Sequence, residues 1–476
     1  MRLMIAFLSI FLALISGCES FQPQPLLPAQ AVSAFESRTL DNADLKEFLE
    51  KNLHHEMSPW PPKSWDFMML TLVAFYYQPD LDVARAKRGL AEAGVITAGG
   101  RPNPSIGILP QHHSMTAGGL SPWTLSLSLD IPFETAGKRG YRIAQARHLS
   151  DAARLNIATE AWKVRNRLKR ELLDFYSSVQ TMQILSERIT VQEEIVRVLE
   201  KRLALGEVSR PDVTLLRIAL DRDRLSLREA QKKNEEARVR LAGALGVKVD
   251  ALNGINISFE SLELISPNLF PRDVRRQALL NRLDILAALA EYDATQSVLQ
   301  LEIAKQYPDI HIGPGYSWDQ GDNIWSIGFS ISLPVFNRNE GPIAEAEARR
   351  KEAAAQFSAL QARIIGEIDR ALVVYNEDLQ KLNLADSLLL THKMQLQSIQ
   401  KIFNSGEADR LTLLNAQLEL YSAELSRADE FARAQQSLRL LEYAVQRPLN
   451  LLESFPVISE ENPRTKEGSS INETYT

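Results

Sequence analysis

Few side chains in this sequence stand at a spacing that supports chemistry. There is one cysteine, Cys18, so no intrachain disulfide and no cysteine-based zinc site can form. Two histidine pairs, His54-His55 and His112-His113, are the candidates for metal ligation. Adjacent residues point apart on a strand, and no acidic cluster accompanies either pair, so both read as incidental loop histidines. Gly137-Lys138 lacks the earlier glycine and the following Ser or Thr of a phosphate-binding loop. No Ser–His–Asp order or metal motif stands out. The carboxylates of the long stretches alternate with Arg and Lys, as a solvated face does. The sequence therefore predicts no enzyme, no cofactor and no bound metal. With 54 basic against 60 acidic residues, a net charge of -6, it also lacks the basic excess that a nucleic-acid partner requires.

The chemistry that remains is acylation of Cys18. Met1-Arg2 is a short positive start, and Leu3 to Ile15 is apolar apart from Ser9. That stretch falls short of the roughly 20 residues a membrane-spanning helix needs and has the length of a signal-peptide core. It ends in Leu14-Ile15-Ser16-Gly17-Cys18, which resembles the lipobox of bacterial lipoproteins. Glu19, where Asp often directs inner-membrane retention, favours the outer membrane. On this reading residues 1–17 are a lipoprotein signal peptide, Cys18 carries lipid, and residues 18–63 are a loosely held N-terminal tether.

The elements behind these residues are long helices. Residues 64–99 look helical and end at Gly99-Gly100, Pro102 and Pro104. Residues 138–205 contain no proline and only Gly140, with apolar residues every three to four positions such as Leu168, Leu172, Phe175 and Val179. Such a helix is roughly 100 Å long and needs coiled-coil-like packing. Gly206 breaks it, and a second helix runs over 209–245. The pattern then restarts, with helices predicted over 271–306, 340–405 and 409–446. Pro104 matches Pro308, Pro132 matches Pro334, and Gly206-Glu207 matches Gly406-Glu407, at a nearly constant offset. The chain is a tandem duplication: residues 64–246 and 271–446 are the repeats, 247–270 joins them, and 447–476 is a polar tail expected to be disordered.

Each repeat also holds two strand candidates, 105–109 with 123–131 and 310–318 with 325–333. Trp123, Leu125, Leu127, Leu129 and Ile131 alternate with Thr124, Ser126, Ser128 and Asp130, and Trp325 to Leu333 alternates in the same way. Apolar faces with terminal aromatics and small polar residues opposite suit a lipid-facing barrel. Four strands cannot close a membrane barrel, which begins at about eight, so several chains must share one. Three chains would make a twelve-stranded barrel, and their continuous and end-to-end stacked helices a twelve-helix tube. The fold class is thus mainly α with a membrane β-hairpin pair in a homotrimer.

On these motifs the sequence resembles the TolC-like outer-membrane efflux protein family. The resemblance covers nearly the whole mature chain. It rests on the repeated helix–hairpin–helix plan, Pro79-Asp80-Leu81, Pro102-Asn103-Pro104, Ile131-Pro132-Phe133 and Leu333-Pro334-Val335-Phe336. The turns Leu205-Gly206-Glu207 and Ser405-Gly406-Glu407 belong to it too. Glu134-Thr135-Ala136-Gly137-Lys138-Arg139 resembles the cation-efflux branch. The resemblance implies an outer-membrane exit channel of a tripartite pump in a Gram-negative bacterium. Its implied partners are outer-membrane lipid, a periplasmic adaptor and an inner-membrane transporter. It also implies a periplasmic tip, where Gly206, Glu207, Gly406 and Glu407 would meet the adaptor. Where relatives carry acidic gate residues this chain has Thr412 and Asn415, so Asp409, or Glu407, is the nearer acidic candidate. Two other classes stay open: a secretion channel for polypeptides, and a coiled-coil envelope lipoprotein acting as an adaptor. The latter leaves the Trp-rich hairpins without a role.

Overall fold

The computed structural model describes residues 21–116, 118–263, 271–449, 455–456 and 462–464. Cys18 and the leader lie outside the described residues, as does most of the C-terminal tail. In chain order the elements are α1 (Pro28–Glu36), α2 (Ala43–Leu53), α3 (Phe67–Tyr77), α4 (Pro79–Gly99), β1 (Ser105–His112), β2 (Trp123–Phe133), α5 (Lys138–Ala204), α6 (Arg210–Leu245), α7 (Pro271–Asn281), α8 (Leu283–Ala304), β3 (Ile310–Asp319), β4 (Asp322–Ile331), α9 (Glu340–Asn404) and α10 (Arg410–Val445). The long helices α5 and α9 have 67 and 65 residues. At about 1.5 Å per residue each spans roughly 100 Å.

The helix expected over 64–99 is two helices, because Gln78 is extended at ψ 120 ahead of Pro79. The break has a use. Gln78 Nε2 donates to the carbonyls of Gly243 and Ala244 at 2.7 and 2.6 Å, where α6 ends. Gly246, at φ 78, closes that end against Tyr77, and a Cβ there would stand 3.0 Å from the Tyr77 carbonyl. So α4 begins where α6 stops, and the two stack end to end beside α5. The second repeat splices α8 to α10 likewise. Arg282 is extended, donates to the Ala444 carbonyl, and pairs with Asp284 at 2.6 Å, while Gln446 Oε1 accepts from Leu283 N at 2.9 Å.

The N-terminal segment is not the loose tether its composition predicts. Leu45 and Leu49, one turn apart on α2, are buried with Leu40, Met57 and α3 in the largest apolar cluster. Arg38 donates to the Tyr77 and Gly246 carbonyls at 3.0 and 2.8 Å, which straps the segment across the first splice. In the tail, Phe455 stacks on Trp162 with centroids 4.3 Å apart.

The four strands form one antiparallel sheet in the order β1-β2-β3-β4. β1 runs to His112, not Leu109, because Pro110 lies on an outer strand where its missing N–H costs no ladder bond. β2 continues past Pro132, which pairs with His311 on β3 only. β4 spans 322–331 rather than 325–333, tied to β3 by the short turn at Gln320-Gly321. The register puts Ile108, Leu127, Tyr316 and Trp325 in one cross-strand row, and Gly107, Ser128, Gly315 and Ser326 in the next. One face is therefore mostly apolar, with His112 and Asn323 among its residues, and the other is mostly serine, glycine and threonine with a few charged groups, together with Leu109 and Ile324.

Candidate functional site

Two places gather the residues singled out by the sequence: the helix turns and the sheet. At the first turn Gly206 has φ 77, and Glu207 N and Gly206 N donate back to the Arg202 and Leu203 carbonyls at 2.9 and 3.0 Å. At the second, Gly406 has φ 82, and Glu407 N and Gly406 N reach the Ile402 and Phe403 carbonyls, both at 3.0 Å. These are two copies of one left-handed helix end, which glycine adopts without a Cβ penalty. Glu207 and Glu407 are exposed beside them.

The next helix starts differently in each copy. Ser209 caps α6 in a reciprocal box with Asp212. In the second copy the types are exchanged: Asp409 caps α10 and accepts from Thr412 N and Thr412 Oγ1 at 2.8 and 2.6 Å. Asp409 also binds Arg202 Nη2 at 2.8 Å, which joins the second turn to the end of α5. The Thr412 hydroxyl, then Arg202 and the Thr412 N–H, hold the Asp409 carboxyl at about 2. Arg410 pairs with Glu194 of α5 at 2.7 Å, and Arg188 of α5 holds Asp223 of α6 at 2.9 Å and Ser422 of α10 at 2.6 Å. The turns thus sit side by side, with α5 between α6 and α10, over an apolar cluster of Val191, Ile195, Leu199, Val213 and Leu414. The structure brings Asp409 and Thr412 together but leaves Asn415 exposed outside that cluster. Sequence reading missed Arg202. Its charge resembles those of its neighbours, and only the fold shows that its partner is 207 residues away.

Further from the turns, α5 and α10 enclose an ion cluster that periodicity did not mark. Glu442 and Lys169 are each 1% exposed and pair at 2.8 Å, with Arg165 at 3.5 Å. Phe67 lies under both cations, at 4.9 Å from Arg165 and 5.4 Å from Lys169. Burial pushes the Glu442 carboxyl up, but Lys169 and Arg165 outweigh it and hold it below the usual carboxylate range.

At the base of the sheet the Glu134–Arg139 motif is structural. Lys138 Nζ donates to Asp309 at 2.7 Å and to the Tyr307 carbonyl at 2.6 Å, and Arg139 donates to the Gly99 carbonyl at 2.7 Å. These bonds tie the start of α5 to the ends of α8 and α4. On the sheet, His112 stacks edge-on against Trp123 at 4.8 Å, whereas His113 turns to Thr124 at 2.9 Å. His54, at φ 58, ends α2, and His55 contacts the Leu53 carbonyl at 3.2 Å. Among the described residues no three His, Cys, Asp or Glu side chains form a group fit to hold a metal ion, and no helix is long and apolar enough to cross a membrane.

Comparison with known proteins agrees with this architecture. The chain is 25% identical over 358 residues to the cobalt-zinc-cadmium resistance protein CzcC of Cupriavidus metallidurans, covering 73% of this chain and 81% of that one. It is 21% identical over 222 residues to the probable outer membrane lipoprotein SilC of Salmonella typhimurium, covering 42% of this chain and 48% of the relative. Its fold matches the crystal structure of the outer membrane protein VceC of Vibrio cholerae with a TM-score of 0.64 at 21% identity, over 80% of this chain and 95% of that one. The model of the outer membrane efflux protein family matches twice, at residues 76–247 and 274–445, once for each repeat. Both the duplicated helices and the shared sheet fall inside those matches, and the chain belongs to the outer membrane efflux protein family.

Proposed function

We propose that three copies of this chain form the exit duct of an efflux pump for metal cations. One observation carries the trimer: the sheet has an apolar face and two outer strands, β1 and β4, whose second edges meet no other strand among the described residues. In lipid each open backbone group costs several kcal/mol. Pairing β1 of one copy with β4 of the next removes both edges, and three copies make a twelve-stranded barrel. The helices would then enclose a tube that reaches through the periplasm to the paired turns. Similarity to a cobalt-zinc-cadmium resistance protein supports metal cations as cargo. Cys18 would be the lipid anchor, a reading that similarity to a lipoprotein supports. The same sheet disfavours a coiled-coil adaptor.

The assembly is tested by gel migration. The purified protein should run as a heat-sensitive oligomer and conduct in planar bilayers; a monomer without conductance would refute the duct. Labelled palmitate should enter the wild type and not the Cys18→Ser variant. Six turns in the trimer form a crown on which an adaptor's helical hairpin can pack. Cysteines at Glu207 and Glu407 should crosslink to the adaptor, while one at Arg142, close to the sheet, should not.

The Arg202–Asp409 pair fastens this crown. The folded carboxyl lies below its unfolded value of about 3.9, so its contribution is complete above that pH and lost as pH falls through about 2. Conductance through the tip should therefore not respond to this carboxyl between about pH 5 and 8, and Asp409→Asn should raise it at every pH in that range. A wild-type increase on acidification that Asp409→Asn abolishes would contradict the assignment.

A further inference from the structure

The polar face of the sheet carries two cross-strand pairs of the same composition. Near one end, His311 Nδ1 of β3 lies 3.0 Å from an Asp130 carboxylate oxygen of β2. Near the other, Asp319 of β3 accepts from Thr124 Oγ1 and lies 3.6 Å from His113 Nε2, which itself meets Thr124 Oγ1 at 2.9 Å. All four ionisable side chains are partly open to solvent, at 39 to 47%. His311 and Asp319 are eight residues apart on one strand, or about 27 Å along it, which at a barrel strand's tilt is about 20 Å in height and most of the apolar band of an outer-membrane barrel.

What lies between them is uncharged and mostly small, with Leu109 and Ile324 as the two large side chains on this face. Ser126 and Ser317 face each other at 3.0 Å. Ser128 is flanked by Gly107 and Gly315, and a Cβ at Gly107 would stand 2.7 Å from Ser128 Oγ. The ladder between β2 and β3 is also interrupted beside Asp130, opposite Gly313-Pro314, where proline has no N–H to give. The sequence adds a sharper fact. Residues 105–133 and 310–331, which hold all four strands and their turns, contain Asp130, Asp319 and Asp322 but not one Lys or Arg. A pore wall with fixed carboxylates and no fixed cation favours cations over anions.

We propose that His311 with Asp130, and His113 with Asp319, are two stations that ligate divalent transition-metal ions passing along this face. Imidazole with carboxylate suits zinc, cobalt and nickel better than magnesium, which prefers oxygen alone. Each station offers two donors, and water completes the coordination sphere. A closed structural zinc site uses four protein ligands and holds its ion; a two-donor site binds weakly and exchanges fast. Conduction needs that balance, with binding favourable enough to admit an ion and weak enough to release it. The histidine–carboxylate bonds seen here orient each ring, and an incoming ion inserts between the two groups. Reading His113 beside His112 concealed this, because the fold separates those neighbours and pairs His113 with a carboxylate from the other repeat.

The inference rests on the face being the lumen of a conducting trimer, so the test measures both. Purified wild-type trimer in a planar bilayer is titrated with zinc or nickel chloride in a potassium chloride background, then with magnesium chloride. Zinc and nickel should reduce the potassium current. In the H113N/H311N variant the half-blocking zinc concentration should rise by about tenfold or more, the scale of losing a metal-orienting group. Magnesium block should stay unchanged. Asparagine keeps a hydrogen bond to each aspartate, so a purely structural role for the histidines would leave the variant like the wild type. The H54A/H55A variant, altered outside the sheet, should block as the wild type does. Equal zinc block in wild type and H113N/H311N, with normal conductance in both, overturns the stations and leaves the duct standing. Absence of a conducting trimer overturns the duct and the stations with it.

Discussion

Phe329→Arg should destabilise the assembled protein in lipid by about 2–4 kcal/mol, whereas Ser128→Arg should assemble normally and narrow the pore. The reasoning turns on what covers the apolar face. Phe329 is 71% exposed and Trp325 80% exposed in the single chain. A substitution at so open a position in water changes stability by no more than about 0.5 kcal/mol. The cost arises only if hydrocarbon replaces that water, because an arginine there loses its hydration without gaining a partner. Ser128 lies on the opposite face between two glycines, where a long side chain has room and solvent. The measurement is the heat or denaturant resistance of the oligomer reconstituted in lipid. Equal resistance in the two variants would reject the assignment of faces.

Glu442→Ala should be as damaging for a different reason. It removes the carboxylate that Lys169 meets at 2.8 Å and Arg165 at 3.5 Å, while both cations stay buried beside the Phe67 ring. Removing one member of a buried pair costs about 3–5 kcal/mol, because the remaining charge stays desolvated. Glu442 Oε1 also accepts from Leu449 N at 3.0 Å, a bond lost with it. Lys169→Met combined with Glu442→Leu should recover part of the loss, since apolar groups of similar volume can replace a buried ion pair. Unfolding rates in denaturant would measure this. A single variant as resistant as wild type would mean that water reaches the cluster. Because the Glu442 carboxyl sits below its ordinary range, its contribution is full at neutral pH and is lost as acid takes the pH down through that lowered value.

Much of this molecule is legible from spacing alone. The 67-residue α5 follows from a stretch with no proline, and the two turns from glycines repeated at matching positions. The faces of β2 follow from its alternation, and the register carries them across the sheet, with Leu109 and Ile324 as exceptions on the polar face. What spacing could not show is where side chains meet after several hundred residues. Lys169 and Glu442 each stand among other charged residues, and nothing local distinguishes a buried pair from a solvated one. The helix break at Gln78 was visible as Pro79, but not the reason it is needed, which is the exposed carbonyl end of α6. The N-terminal stretch is anchored by Leu45 and Leu49 of α2, whose partners on α3 no local pattern reveals.

The pairing of β2 with β3 sets an order of assembly. Thr124 contacts Asp319 across 195 residues of chain, whereas every helix closes through bonds only four residues apart. Loop-closure entropy delays such distant contacts until something else has brought the ends together. Here α5 joins the two repeats by packing against α8 and α10, which brings the two hairpins to one place. The four-stranded sheet thus cannot close before both repeats are present. A chain stalled before the second repeat emerges would hold one hairpin with no partner strand, an open edge suited to capture by other chains. Export and membrane insertion therefore have to keep such edges apart until the second half arrives.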